Sequence, residues 1–339
     1  MNKKIKRSTV KFENPVYITG FGSVAGKSEM QSPLSDWFDV VFDDDAWGEK
    51  SWEKCERKMF LRAIEIALAK AGLQEEKVDY LIGGDLLNQI ISASYSAREM
   101  NIPFFGVYGA CSTMAQSITM GAMLIDGGFA ENIACATSSH FATAERQYRG
   151  PLELGTPKTP TAQWTVVGAG ATVLSKTGAP IYPKITYATT GRVLDFGIKD
   201  ANNMGAAMAP AAAETIMLHL EETGRDIDYY DKVVTGDLGM LGSGIFFDLL
   251  NEQGIKACDN HFDCGIEIFR DCKNKYCGGS GCGCAACVLN GYLIKNLIEG
   301  NLKKILFVAT GALLSPTSTG QGETIPSIAH AVAIETDVN

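Results

Sequence analysis

Two stretches of this chain can be laid over one another without a gap, and that limits its fold more than any other feature. Residues 109–139 (GACSTMAQSITMGAMLIDGGFAENIACATSS) and 282–312 (CGCAACVLNGYLIKNLIEGNLKKILFVATGA) align at a constant offset of 173 residues. Cys111 falls on Cys284, Asp126 on Glu299, Gly127 on Gly300, and Ala136-Thr137 on Ala309-Thr310. Each copy reads as a small-residue turn, a helix of about four turns, a glycine stop and a short apolar strand. Those strands are Ile133–Ala136 and Ile305–Ala309. Upstream, residues 67–86 and 219–238 each run helix, Asp-containing turn, apolar strand and Gly-Asp-Leu. Downstream, TVVGAGATVLS and PSIAHAVAIET each read as a closing strand. A repeat of this span predicts two similar halves. The chain is therefore read as an α/β protein of two pseudo-symmetric βαβαβ halves, residues 1–178 and 179–339, joined through KTGAPIYPK at 176–184.

The repeat also decides how to read the cysteines. Seven of the ten lie between residues 258 and 287, four of them in CGGSGCGCAAC at 277–287. A common zinc site needs two Cys-x-x-Cys pairs, and only Cys284–Cys287 has that spacing. The stretch is instead the second copy of the turn carrying Cys111, so Cys282, Cys284 and Cys287 are expected to be small packing residues. No metal or cofactor is expected. A net charge of −9 without a Lys/Arg stripe excludes nucleic acid as a partner. The basic start MNKKIKRSTVKF has no apolar segment after it, and no window reaches the roughly 20 apolar residues of a membrane span. GFGSVAGKS at 20–28 ends like a phosphate loop but has Phe21 where the first glycine belongs, and reads as a strand-to-loop turn. The acidic run 36–54, with Trp37, Trp47 and Trp52, suggests a covering loop or a partner contact.

YGACSTMAQSI and VVGAGATVLS resemble the nucleophile turn and the late first-half strand of ketoacyl synthases, members of the thiolase-fold group. The resemblance implies a thiolase-like fold with a five-layered α-β-α-β-α core. GGDLLNQ (83–89), FGVYGACST, CATSSHFATAERQYR (135–149), MGAAMAPAAAET (204–215) and ATGALLSP (309–316) together resemble the stage V sporulation protein AD family. That family occurs in endospore-forming bacteria. The resemblance implies a protein that binds dipicolinic acid (pyridine-2,6-dicarboxylate), free or as its calcium chelate. It also implies work with other stage V sporulation A proteins at the cytoplasmic face of the forespore or spore inner membrane, as a peripheral protein, in uptake and in germination.

A thiolase-type cysteine sits at a helix N-terminus, where the dipole favours thiolate, and Cys111 is expected there. The family's decarboxylating relatives add His and Asn as oxyanion donors. TGDLGMLGS (235–243) and GGSGCGC (278–284), which align with those segments, contain neither, and Gly279 takes an Asn position. Of His140, His219, His261 and His330, His140 alone follows a strand at the expected pocket mouth. The expectation is a non-catalytic binding protein with Cys111 as a vestigial nucleophile. The alternatives are an acyltransferase using Cys111 with His140, and an iron–sulfur or zinc protein built on the 258–287 cysteines.

Dipicolinate is a small flat dianion, suited to helix N-terminal amides, hydroxyls and a cation. Cys111, Ser138, Ser139, His140, Arg146 and Arg149 are expected around it, with the Ser112 and Thr113 hydroxyls at the turn. Asp85 and Asp237, equivalent in the repeat, either cap turns or face a chelated calcium ion. A homodimer is expected, with the strand Ile133–Ala136 pairing edge to edge.

Overall fold

In the computed structural model, which describes residues 3–148, 157–256 and 260–337, the two copies of the repeat fold alike. The first half supplies strands β1 (Thr9–Lys11), β2 (Tyr17–Ala25), β3 (Val40–Val41), β4 (Tyr80–Gly84), β5 (Phe104–Gly106), β6 (Asn132–Ser139), β7 (Trp164–Thr165) and β8 (Gly168–Ser175). Its helices are α1 (Trp52–Ala71), α2 (Ile91–Ala97), α3 (Thr113–Asp126) and α4 (Phe141–Tyr148). The second half supplies β9 (Lys184–Thr190), β10 (Lys232–Thr235), β11 (His261–Asp263), β12 (Gly279–Ser280), β13 (Lys304–Ala312) and β14 (Ser327–Glu335). Its helices include α5 (Met204–Thr223), α6 (Gly239–Glu252), α7 (Cys264–Phe269) and α8 (Cys282–Val288), the last running on through a π-turn to Ile298.

The strand order is β11-β10-β13-β14-β9-β2-β8-β6-β4-β5. Read outward from the β9–β2 joint, both sides repeat one pattern. A first strand meets its antiparallel closing strand, and three strands parallel to one another follow. The joint itself is a single pair, Tyr17 opposite Lys184, so the sheet bends into two leaves there. Helix α1 covers the outside of β2, β8 and β6, and α5 covers β14, β13 and β9. Between the leaves, α3 touches β6 and β8 on one side and β13 and β14 on the other, with α8 beside it. The layers are α-β-α-β-α, the thiolase-like arrangement.

Small residues permit this packing. A Cβ on Gly22 would lie 2.2 Å from the Ala63 carbonyl of α1, so only glycine lets that helix rest on β2. Strand β8 is buried along its whole length, as a strand covered on both faces must be. The clustered cysteines serve the same end. Cys282, Cys284 and Cys287 are fully buried, and their thiols point at the carbonyls of Ser138, Gly236 and Val24. Among the described residues no three His, Cys, Asp or Glu side chains are placed to hold a metal ion; Cys258 lies outside them. The acidic run covers the fold: Trp37 meets Tyr292 edge-on and Trp47 stacks on Phe42.

One expectation about assembly is corrected here. Strand β6, which contains Ile133–Ala136, lies between β4 and β8 and has no free edge to offer a second copy. In the described sheet β5 is the outermost strand of the first half, and Phe105 upon it is 45% exposed.

Candidate functional site

Cys111 sits two residues before α3 in a turn held by its own hydroxyls. Ser112 Oγ donates to the Gly109 carbonyl at 2.7 Å, and Thr113 Oγ1 donates to the Ala110 carbonyl at 2.6 Å. Ala110 is left-handed at φ +49°, a conformation that costs a non-glycine residue about 1 kcal/mol or more. The hydroxyls expected to greet a ligand are thus spent on shaping the turn.

The two halves close each other's turns. At the end of β13, a Cβ on Gly311 would lie 2.1 Å from the Gly109 carbonyl, so the second half presses on the Cys111 turn. Reciprocally, the end of β6 presses on the second glycine-rich turn. Ser139 Oγ donates to the Val166 carbonyl at 2.7 Å and accepts the Gly283 N–H at 3.1 Å, while Cys282 Sγ reaches the Ser138 carbonyl at 2.9 Å. Cys111 is buried at the meeting of these turns. The cavity above it measures about 20 Å³, room for one water. Tyr108, Cys111 and Gln147 line it from the first half, and Met204, Ser280 and Leu314 from the second.

Burial dominates the chemistry. It pushes the Cys111 thiol well above its ordinary range, and the Gly281 N–H offsets only part. The helix N-terminus therefore does not deliver the thiolate that the sequence suggests. Asp237 is fully buried, and burial, then Asp263, raise it well above the carboxylate range, against a smaller pull from the Gly281 N–H and the Cys284 thiol. Cys282 lies close enough for its charge to interact with Cys111, Asp85 and Asp237, and it too is held as a thiol. Of these three groups Cys111 alone lines the cavity, and it does so as a neutral thiol.

The remaining candidates separate. Asp85 caps its turn, accepting the Leu87 and Ala93 N–H groups at 2.7 Å each, so the pair equivalent in sequence is unlike in role. Ser138 Oγ donates to buried Glu56 at 3.2 Å, and Ser139 ties β6 to the second turn. Arg146 pairs with Glu53 and lies over the Trp52 ring. Arg149 is outside the described residues. His140 does not share the Cys111 cavity. Its Nδ1 accepts the Ala142 N–H at 3.2 Å, which leaves Nε2–H to donate to the Asp45 carbonyl at 2.9 Å. Burial lowers its pKa. The ring is a fixed neutral cap on α4, neither a base for Cys111 nor a free donor. His219, between Thr189 and Tyr230, and His261, against Thr235 and two phenylalanines, are packed elsewhere.

Sequence reasoning missed Cys282, Glu56, Tyr108 and Gln147. The reciprocal packing of the two turns would have found Cys282, because each turn must meet the other half's strand end. It also missed a second cavity of about 350 Å³, lined by Trp52, His140, Phe141 and Trp164 with Lys27, Ser28 and Asp45. The two cavities share no lining residue.

Comparison with known proteins agrees with this architecture. The model of the family described as Stage V sporulation protein AD matches residues 6–335. Stage V sporulation protein AD of Bacillus subtilis (strain 168) is 46% identical over 329 residues, 97% of each chain. The crystal structure of 3-oxoacyl-[acyl-carrier-protein] synthase III from Aquifex aeolicus VF5 is similar at TM-score 0.54, with 16% identity over 94% of this chain and 99% of that one. Cerulenin-bound OleA from Xanthomonas campestris is similar at TM-score 0.61, with 15% identity over 95% of this chain and 96% of that one. Likenesses at that identity speak to fold alone. A match along nearly the whole chain and an identity near one half speak to family, and this chain belongs to the stage V sporulation protein AD family.

Proposed function

We propose that this sporulation protein binds dipicolinate without transforming it, on a thiolase-like scaffold whose nucleophile has fallen silent. The observation that carries the reading is the Cys111 floor: a thiol held protonated by burial beside a neutral Asp237, under a cavity wall with no histidine. Acyl transfer there lacks both a thiolate and a proton acceptor. The acyltransferase alternative, with His140 as partner to Cys111, has no support in this geometry. The family resemblance supports dipicolinate as ligand and other stage V sporulation A proteins as partners at the forespore or spore inner membrane. No helix among the described residues is long and apolar enough to cross a membrane, so the association proposed is with a membrane subunit. Calorimetric titration with dipicolinate, with and without calcium, tests the reading. A saturable heat with one site per chain is expected, and no heat up to millimolar ligand would overturn it.

A homodimer is proposed through β5 in place of β6. Phe105 on that edge is 45% exposed, with the Tyr80 ring against it, which suits antiparallel pairing of two copies. Light scattering at micromolar concentration should give twice the chain mass, and Phe105→Lys should give the monomer. A parent chain that is monomeric there would contradict the dimer.

A further inference from the structure

Among the described residues, Trp47, Gln89, Ile90 and Ala110 are the non-glycine residues with a left-handed backbone. Three of them flank the small cavity over Cys111. Ala110 is part of its wall, and Gln89 and Ile90 directly follow Leu86 and Asn88, which also line it. Gln89 has φ +62° and Ile90 φ +46°. Two such residues in succession are costly for any side chain but glycine, and a β-branched one is an outlier there. The sequence LLNQII at 86–91 holds no glycine to ask for this bend. Its surroundings impose it.

One carboxylate pins the segment at both ends. Asp85 accepts the Leu87 N–H through Oδ1 and the Ala93 N–H through Oδ2, and between these points the Ile90 N–H closes on the Leu87 carbonyl at 3.0 Å. The Leu87 side chain is buried. Ile90 rests over Gly106 of β5, where a Cβ would stand 2.3 Å from its Cδ1. Asn88 and Gln89, at the bend, are exposed. The segment is a strap held down by a few contacts and bent against the preference of its own residues. When it lifts, released backbone strain offsets part of the hydrogen bonding given up. The facing wall is different: Met204, Leu314 and Pro316 line it, and none is left-handed.

We infer that residues 86–90 are a lid, strained when closed, that swings away from Asp85 and Gly106 to open the Cys111 cavity to solvent. In the closed position the cavity, at about 20 Å³, holds nothing larger than a water. Whatever reaches Cys111 does so through the open state, a minor population whose size is set by the bend at Gln89 and Ile90 and by the two amides on Asp85. The lid works in this way whichever molecule the chain binds.

The test is a time course of iodoacetamide labelling of the full chain at pH 8, read by peptide mapping as the rate at Cys111 relative to Cys135. Cys135 is fully buried in β6 with its thiol on the Ser117 carbonyl, and it does not line the cavity, so it reports global opening. The Gln89 side chain is exposed, so its replacement changes backbone preference and little else. Gln89→Gly, at ease in the left-handed bend, is expected to lower the ratio about threefold, and Gln89→Val, which resists it, to raise the ratio about threefold. Asp85→Asn leaves one amide without its acceptor and is expected to raise the ratio about tenfold. If Asp85→Asn does not fold, the Gln89 pair still decides. A ratio that is the same in Gln89→Gly, Gln89→Val and the parent overturns the lid, as does one that moves opposite to this order.

Discussion

At pH 8 Cys111 will react with iodoacetamide about a hundredfold more slowly than a free cysteine. Only the thiolate attacks, and burial between two interlocked turns withholds it by raising the thiol's pKa. The α3 dipole and the Gly281 N–H act in the opposite sense and are outweighed. Cys272, partly exposed near Lys275, is an internal reference. Peptide mapping of a labelling time course should show Cys272 modified well before Cys111. Labelling of Cys111 at the rate of Cys272 would mean that the thiol is activated after all.

Stability will fall between pH 6.5 and pH 8, with Glu29 and Glu56 together accounting for about 2–3 kcal/mol of the loss. Glu29 and Glu56 are fully buried. Burial lifts Glu29 to about 7, against a partial pull from Lys275, and burial with Asp85 lifts Glu56 to about 8. A carboxyl whose folded pKa is raised contributes fully below its unfolded value, and that contribution is lost as pH climbs to the folded value. Glu29 and Glu56 therefore titrate through about 7 and about 8, after Asp85, held at about 6, has finished. The buried histidines act at the other end. His219 is lowered to about 3 and His330 to about 4, so they cost stability only as pH drops below 6.5. Urea unfolding at pH 6.5 and 8 measures the difference, and Glu56→Gln should reduce it by about 1–2 kcal/mol. Stability that is level or rising over this interval would contradict the burial of these acids.

The architecture was legible because the repeat is written at a constant offset, with each glycine stop and closing strand in place. What the repeat could not show is how one half presses on the other. Ser138 and Ser139 read as pocket residues, yet they end β6 where it must brace the second turn, and their hydroxyls go to Glu56 and Val166. Asp85 and Asp237 are equivalent in sequence, but only Asp85 is followed by amides turned back onto its carboxyl. His140 follows its strand at the expected place; the ring is then claimed by α4, whose first turn needs a cap. The choice of β6 as the dimer edge failed because strand order is a long-range property, and a strand's apolar sequence fits the middle of a sheet better than its edge. The second cavity went unread since its aromatic rings come from α1, α4 and β7, far apart in the chain.

On the function proposed here, the thiolase-like scaffold has kept its cysteine and lost its chemistry. Intact mass of the full chain after incubation with acetyl-CoA probes this. An unchanged mass is expected over hours at pH 7 to 8, in the parent and in Cys111→Ala alike. An acetyl adduct that forms on the parent and is missing from a folded Cys111→Ala would contradict it and restore Cys111 as a nucleophile.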